Sequence, residues 1–330
     1  MSRARAVVAL GAAVLAVAAL GGCSSGAAPE GAATDASTLA PFQIDDDFPD
    51  PGALVDGDTV YAYATNTPAV NVQVASSRDM KKWTVSDEDA LPELPSWATP
   101  GKTWAPGPAK LADGRYALYF TAADTASRHQ CIGVAFADSP TGPFTSTADK
   151  PLVCPVDEGG AIDASVFTDE DGSRHLVWKN DGNCCGFDTW LQLAPLSADG
   201  TSLTGDAVRL VKQTQEWEGN LVEAPVIVRH DDEYVLLYSA NDYGGGSYAT
   251  GVATATALTG PYTKEKKPLL STEGTGGAYV GPGGADLVTF TGKDWMLFHS
   301  WDDAVVYRGM HAVPVTWKNG LPQPQLEGTR

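Results

Sequence analysis

Short runs rich in β-branched and aromatic residues, each closed by a turn, recur along the chain. Tyr116–Ala122 (YALYFTA) and Tyr234–Ala240 (YVLLYSA) are two such runs, and their composition favours strands. The resemblance extends well beyond them. Asp113–Thr145 can be laid on Asp231–Thr263 without a gap, at a constant offset of 118 residues. Tyr116 then falls on Tyr234, Leu118 on Leu236, and Gly133-Val134-Ala135 on Gly251-Val252-Ala253. The closing turns Thr141-Gly142-Pro143-Phe144-Thr145 and Thr259-Gly260-Pro261-Tyr262-Thr263 match as well, and their Gly-Pro pairs stop any helix. Each copy reads as strand, loop, strand, turn.

A weaker copy lies between these two, with Ala164-Ser165-Val166-Phe167, a turn at Asp171-Gly172, and His175-Leu176-Val177-Trp178. Two more flank the set: Val60-Tyr61-Ala62-Tyr63 with Trp83, and Leu287-Val288-Thr289-Phe290 with Trp295-Met296-Leu297-Phe298. Unit starts fall at Asp50, Trp104, Asp163, Glu223 and Gly283, spaced by 54, 59, 60 and 60 residues. Strand-rich units of this size predict an all-β, five-bladed β-propeller formed by a single domain over residues 41–330. A β-sandwich has no reason to show a 60-residue period, and a β-helix repeat is much shorter.

The start of the chain is patterned differently. Arg3 and Arg5 precede an apolar run from Ala6 to Leu20, and Leu20-Gly21-Gly22-Cys23 follows. The run is too short for a bilayer span and reads as a signal peptide over residues 1–22. The Leu-small-small-Cys ending resembles a bacterial lipobox, which implies lipidation of Cys23 and an extracellular protein anchored to the cell membrane as a lipoprotein. Residues 23–40 have no periodicity and read as a flexible tether.

Charge removes several function classes. The chain carries a formal −19, or −21 after loss of the two leader arginines, so a phosphate backbone is repelled and no nucleic-acid partner is expected. A membrane partner is expected only through the lipid anchor, and the protein is expected to be a monomer. Four cysteines remain after Cys23, an even number in an exported protein, consistent with disulfides. Cys131 and Cys154 flank a short strand-and-turn segment and make a plausible pair. Cys184 and Cys185 are adjacent and can form a vicinal disulfide; cross-pairing and free thiols stay open. No CxxC, HExxH, GxSxG or GxxxxGK[ST] pattern occurs, which argues against zinc, serine-hydrolase and P-loop chemistry.

The unit starts carry the remaining chemistry. In a propeller the innermost strand of every blade enters the channel from the same end, so equivalent residues converge. Asp50, Asp163, Glu223 and Trp104 would then line one mouth. Two carboxylates facing across a pocket are the apparatus of glycoside hydrolysis, and a third can raise the acid's pKa by like-charge repulsion. A tryptophan offers an apolar face to a sugar ring. Asp45, Asp46 and Asp47 lack the turn-forming Asp-Pro context and read as solvated. Trp83 and Trp317 read as packing residues; Trp178, Trp190 and Trp301 remain open candidates.

Together, several stretches resemble glycoside hydrolase family 43, whose members are five-bladed propellers including β-xylosidases, α-L-arabinofuranosidases and arabinanases. They are Phe48-Pro49-Asp50-Pro51, Trp104-Ala105-Pro106, Ser139-Pro140-Thr141-Gly142-Pro143-Phe144, Ile162-Asp163-Ala164-Ser165-Val166-Phe167, Val222-Glu223-Ala224-Pro225, and Arg308 before Val315-Thr316-Trp317. The resemblance implies Asp50 as general base, Glu223 as general acid, and Asp163 as the residue that tunes and orients the acid. It makes Trp104 a subsite wall and Arg308 a contact to sugar hydroxyls, although a blade-bridging salt link reads Arg308 equally well. Two departures stand out. Ala164 replaces the family's usual proline after the middle Asp, and Gly281-Pro282-Gly283-Gly284-Ala285 lacks the Gly-His that accompanies an axial metal. No metal and no cofactor are therefore expected, and His299 in Phe298-His299-Ser300 reads as well as a packed strand residue.

The expected function is inverting hydrolysis of arabinofuranosyl, xylosyl or other furanosyl linkages in polysaccharides or oligosaccharides. A fructan hydrolase would carry Asn-Asp-Pro and Glu-Cys-Pro motifs, which are missing. The alternative from another class is a non-catalytic, carbohydrate-binding cell-surface lipoprotein. For the anchor, protein from lipoprotein-processing cells should partition into detergent, and Cys23→Ser should release it into the medium. Untreated protein found mostly in the soluble fraction would contradict the lipobox reading.

Overall fold

The computed structural model describes residues 41–326; the expected leader, Cys23 and the tether lie outside them. Among the described residues no helix is long and apolar enough to cross a membrane. Strands account for the fold, in five antiparallel sheets built from consecutive segments. Blade 1 holds β1 (Gly52–Asp56), β2 (Thr59–Ala64), β3 (Gln73–Ser77) and β4 (Thr84–Val85). Blade 2 has β5 (Ala98–Lys110), β6 (Tyr116–Asp124) and β7 (Gln130–Ala137). Blade 3 has β8 (Ala161–Thr168), β9 (Arg174–Asn180), β10 (Trp190–Leu196) and β11 (Val208–Lys212). Blade 4 comprises β12 (Val222–His230), β13 (Glu233–Ala240), β14 (Ala249–Ala255) and two short strands pairing β14, β15 (Thr263–Lys264) and β16 (Leu270–Ser271). Blade 5 comprises β17 (Val280–Phe290), β18 (Lys293–Trp301), β19 (Arg308–Lys318) and β20 (Leu321–Pro324). The five-bladed propeller is present as expected.

The near-continuous apolar runs follow from burial on both faces of each blade. Along β6, Tyr116, Leu118, Phe120 and Ala122 enter the core shared with blade 1, while Ala117 and Tyr119 enter the core shared with blade 3. Three further clusters fill the remaining junctions, so each inter-blade space has its own apolar core. The ring is closed by backbone hydrogen bonds that run from the first residues to blade 5: Gln43 N–H to Met310 O (2.7 Å), Met310 N–H to Ile44 O (3.0 Å) and Phe48 N–H to Arg308 O (2.9 Å). Blade 2 lacks a fourth strand. Its outer edge is covered by bridges from Ile132 to Val153 and from Phe136 to Thr145, next to the Cys131–Cys154 disulfide.

At the axis the inner strands nearly touch. A Cβ on Gly107 would sit 2.0 Å from the Ala164 carbonyl oxygen, and one on Gly52 would sit 2.1 Å from that of Pro106. No side chain fits there without moving backbone. Gly107→Ala is expected to lower stability by at least about 1–3 kcal/mol, the usual cost of overpacking. A urea midpoint equal to that of the parent would contradict this close approach.

Candidate active site

In or just before each inner strand, at the level of the cavity, one residue takes left-handed φ. These residues are Asp50 (57°), Ala105 (43°), Asp163 (58°), Ala224 (50°) and Gly284 (60°). In blades 2 to 5 the strand pairing slips there, beside Trp104, Ile162, Glu223 and Gly283. Four of the five are not glycine, and left-handed backbone at such residues costs roughly 1–2 kcal/mol each. The kink turns the strand's entry toward the axis, as bulges near active sites commonly do.

The kinked residues are tied into a ring. Each donates its backbone N–H to a side chain of the preceding blade. Ala105 donates to Thr65 Oγ1 (3.0 Å), Asp163 to Thr121 Oγ1 (3.2 Å), Gly284 to Ser239 Oγ (2.9 Å) and Asp50 to His299 Nδ1 (3.0 Å). Ala224 completes the circle by donating to Asp163 Oδ2 (2.9 Å). The first four acceptors hold one structural position, just after or at the end of the second strand. Thr121, Ser239 and His299 pair there with Trp104, Glu223 and Gly283.

Blade 3 breaks the pattern. Lys179, paired with Ile162, occupies the acceptor position, and an ammonium group cannot accept. Asp163 supplies the acceptor instead. Lys179 is buried at 1% exposure and donates to Glu223 Oε2 at 2.9 Å, with Asp181 Oδ1 3.8 Å away. Burial works against its charge, but Glu223, Asp163 and Asp181 more than offset that and hold its pKa above the usual lysine value. The other Glu223 oxygen, Oε1, accepts the Tyr248 hydroxyl at 2.8 Å. Burial drives the pKa of Tyr248 well up, so the phenol keeps its proton. Asp163 has no cation in hydrogen-bond contact. Burial first, then the nearby Glu223 charge, pushes it up to about 8. Asp163 therefore keeps its proton at neutral pH.

Asp50 has different company. Thr65 donates to its Oδ2 (2.8 Å), and Arg308 Nη1 lies 3.4 Å from its Oδ1. His299, fully buried, is held neutral by burial and by Arg308, and its Nδ1 accepts from the Asp50 backbone. Its 3.4 Å approach to Asp50 Oδ1 is therefore no ion pair. The Arg308 guanidinium lies over the rings of Tyr243 (5.0 Å) and Trp301 (5.8 Å), and Trp301 donates to the Tyr243 carbonyl (2.8 Å).

The structure brings together the three carboxyl groups, Trp104 and Arg308 named from the sequence, whereas Cys131–Cys154 packs against the core of blades 1 and 2, Trp178 lies in the core of blades 2 and 3, and Trp190 packs under Arg209 and Lys212. Asp50, Trp104, Asp163, Glu223 and Arg308 line one cavity of about 370 Å³, with Thr65, Lys179, Asp181, Asn183, Cys184, Tyr243 and Tyr248. Cys184 and Cys185 are bonded to each other at its wall. One element of the sequence reading needs correction. The unit starts are not strictly equivalent: Asp50 and Asp163 are the left-handed residues themselves, whereas Glu223 and Trp104 stand one residue before theirs. Lys179, Tyr248, Thr65 and the positioning role of His299 were missed. A signal existed, since Thr65, Thr121, Lys179, Ser239 and His299 recur at 56, 58, 60 and 60 residues.

The sequence model for "Glycosyl hydrolases family 43" matches residues 43–322. The Aspergillus niger protein named Beta-D-galactofuranosidase xynD is 27% identical, over 68% of this chain and 64% of its own length. The extracellular exo-alpha-(1->5)-L-arabinofuranosidase ArbA of Cellvibrio japonicus is 27% identical, over 85% of this chain and 86% of its own. Three of the curated relatives are longer proteins, of which the match spans 64%, 53% and 50%. Among solved structures, an Endo-1,4-beta-xylanase from Bacteroides thetaiotaomicron superposes with a TM-score of 0.74 at 27% identity, covering 88% of this chain and 97% of its own. A thermostable family-43 glycoside hydrolase shares the fold, with a TM-score of 0.77 at 24% identity, covering 89% and 98%.

Two outcomes are expected of the buried charges. Lys179→Met strands the Glu223 carboxylate and should cost about 3–5 kcal/mol of stability, which Lys179→Met/Glu223→Gln should largely recover. Equal stabilities of the single and double variants would contradict the pairing. For Asp163 the folded-state pKa lies above the unfolded one. Its stabilising contribution is then complete below the usual value of 3.8 and is lost as pH rises through about 8. Asp163→Asn should flatten the fall in stability across that window, whereas an unchanged slope in pH-dependent urea melts would place the proton elsewhere.

Proposed function

The chain belongs to glycoside hydrolase family 43, and from that premise we propose that it is an inverting glycosidase acting on arabinofuranosyl, xylosyl or other furanosyl linkages in polysaccharides or oligosaccharides. The observation that carries this reading is the convergence of three carboxyl groups in three unlike environments at one cavity. Asp50, braced by Thr65 and Arg308, is suited to take a proton from water. Water attacks the anomeric carbon as the bond to the leaving oxygen breaks. One proton passes from the water to Asp50, and one from Glu223 to the departing oxygen, so configuration inverts. For that step one of the two donors that Glu223 holds, Tyr248 or Lys179, yields to the leaving oxygen. Asp163 acts through the acid: it accepts the N–H of the residue after Glu223 and keeps a proton within the pair.

The names of relatives support the substrate class and an exported enzyme. ArbA, matched over most of both chains, is named an extracellular arabinofuranosidase, and other relatives are named extracellular arabinanases. Lipid anchoring through Cys23 would keep such an enzyme at the cell surface. A purely carbohydrate-binding role is less well supported, because a binding protein has no use for three differently held carboxyl groups.

The roles separate by leaving group. Glu223→Ala should lose about 10²–10⁴-fold on natural glycan and far less on an aryl glycoside whose leaving group needs no proton. Asp50→Ala should be equally inactive on both. Identical losses for the two variants on both substrates would overturn the assignment, and a retained anomer as first product, followed by NMR, would overturn inversion.

A further inference from the structure

Seven large apolar side chains stand exposed among the described residues, and four of them are not scattered: Phe187 (54%), Tyr243 (54%), Val305 (49%) and Val306 (74%). They lie on the loops joining the second and third strands of blades 3, 4 and 5, which are three successive blades. In every blade this loop leaves from the end of the second strand that faces the carboxylates. The loops contribute directly to the cavity: Asn183 and Cys184 come from the Phe187 loop, and Tyr243 itself lines the wall. The matching loops of blades 1 and 2, residues 65–72 and 125–129, hold no large exposed apolar residue.

These side chains are held out rather than left loose. The Phe187 loop is pinned through Asp188, which binds Lys212 (2.5 Å) and Gln213 (3.1 Å). The valine loop is capped by Asp302, which accepts N–H groups from Val306 (2.6 Å), Tyr307 (3.1 Å) and Ala304 (3.2 Å). Within it Val305 takes φ of 56°, a strained conformation for a β-branched residue and one that clusters at functional sites. Trp301 ties the valine loop to the Tyr243 loop.

We propose that this apolar arc over blades 3 to 5 is the docking surface for the leaving-group side of the substrate, taking the C–H faces of successive neutral sugar rings. The inference rests on the hydrolase reading above. The arc is centred on blade 4, the blade that carries Glu223, and the acid must face the leaving oxygen. It is continuous with the cavity through Tyr243. A cavity of about 370 Å³ lies at the low end of small-molecule sites, roughly 300–1,000 Å³, so most of a polymer must lie outside it. The acidic chain and cavity disfavour anionic glycans and leave neutral ones.

The test uses the mature protein as Cys23→Ser and a Phe187→Ser/Val306→Ser variant of it, neither added position lining the catalytic cavity. Both are assayed on an aryl glycoside and on oligosaccharides of two to six units of the same sugar. The parent's kcat/KM should rise with chain length, and the variant should lose about tenfold on the longer substrates with aryl-glycoside hydrolysis and thermal midpoint unchanged. Equal losses on both substrates, or none, would overturn the proposal. So would parent binding to lipid vesicles that the variant loses, since the arc would then face a membrane. If the parent cleaves no glycoside, the hydrolase reading fails separately. Calorimetric affinity for the oligosaccharide series then decides the arc: length dependence lost in the variant supports it, and its absence in the parent overturns it.

Discussion

Five hydrogen bonds around the axis hold the site, each from a kinked inner-strand residue to the blade before it. Each such bond is worth about 0.5–1.5 kcal/mol net. That is comparable to the cost of one left-handed non-glycine residue, so neither term dominates. The kink survives because the inter-blade cores fix the strands on either side of it. The ring also couples neighbours: Thr65 accepts from Ala105 while donating to Asp50, and His299 supports Asp50 from the opposite side.

Chemistry enters where the ring departs from its own repeat. With Lys179 at the acceptor position, the blade 3 contribution passes to Asp163, which draws that carboxyl toward the backbone of the neighbouring blade. The lysine charge goes to Glu223. One substitution within the repeat thus separates two buried acids. Glu223 receives two donors, while Asp163 receives one backbone N–H and keeps the proton. A hydroxyl at residue 179, as in blades 1, 2 and 4, would leave the two carboxyl groups without a cation between them.

Much of this was legible in the sequence because the repeat is physical. Both faces of each blade are buried, so continuous apolar runs such as YALYFTA and YVLLYSA recur with the blade period. The acidic and aromatic unit starts could be read for the same reason. Their phase could not: a one-residue offset between Glu223 and Asp163 depends on which residue turns left-handed, and Asp, Ala and Gly all do so here. Lys179 and Tyr248 were hidden for another reason. Lys179 closes an apolar run in HLVWKN, and nothing local marks a lysine whose partner is 44 residues away.

The account turns on where the proton of the acid pair rests, and neutron diffraction from deuterated crystals at neutral pH reads this directly. A deuteron on Asp163 and a fully deuterated Lys179 ammonium are expected. An ionised Asp163 carboxyl, carrying no deuteron, would contradict the account.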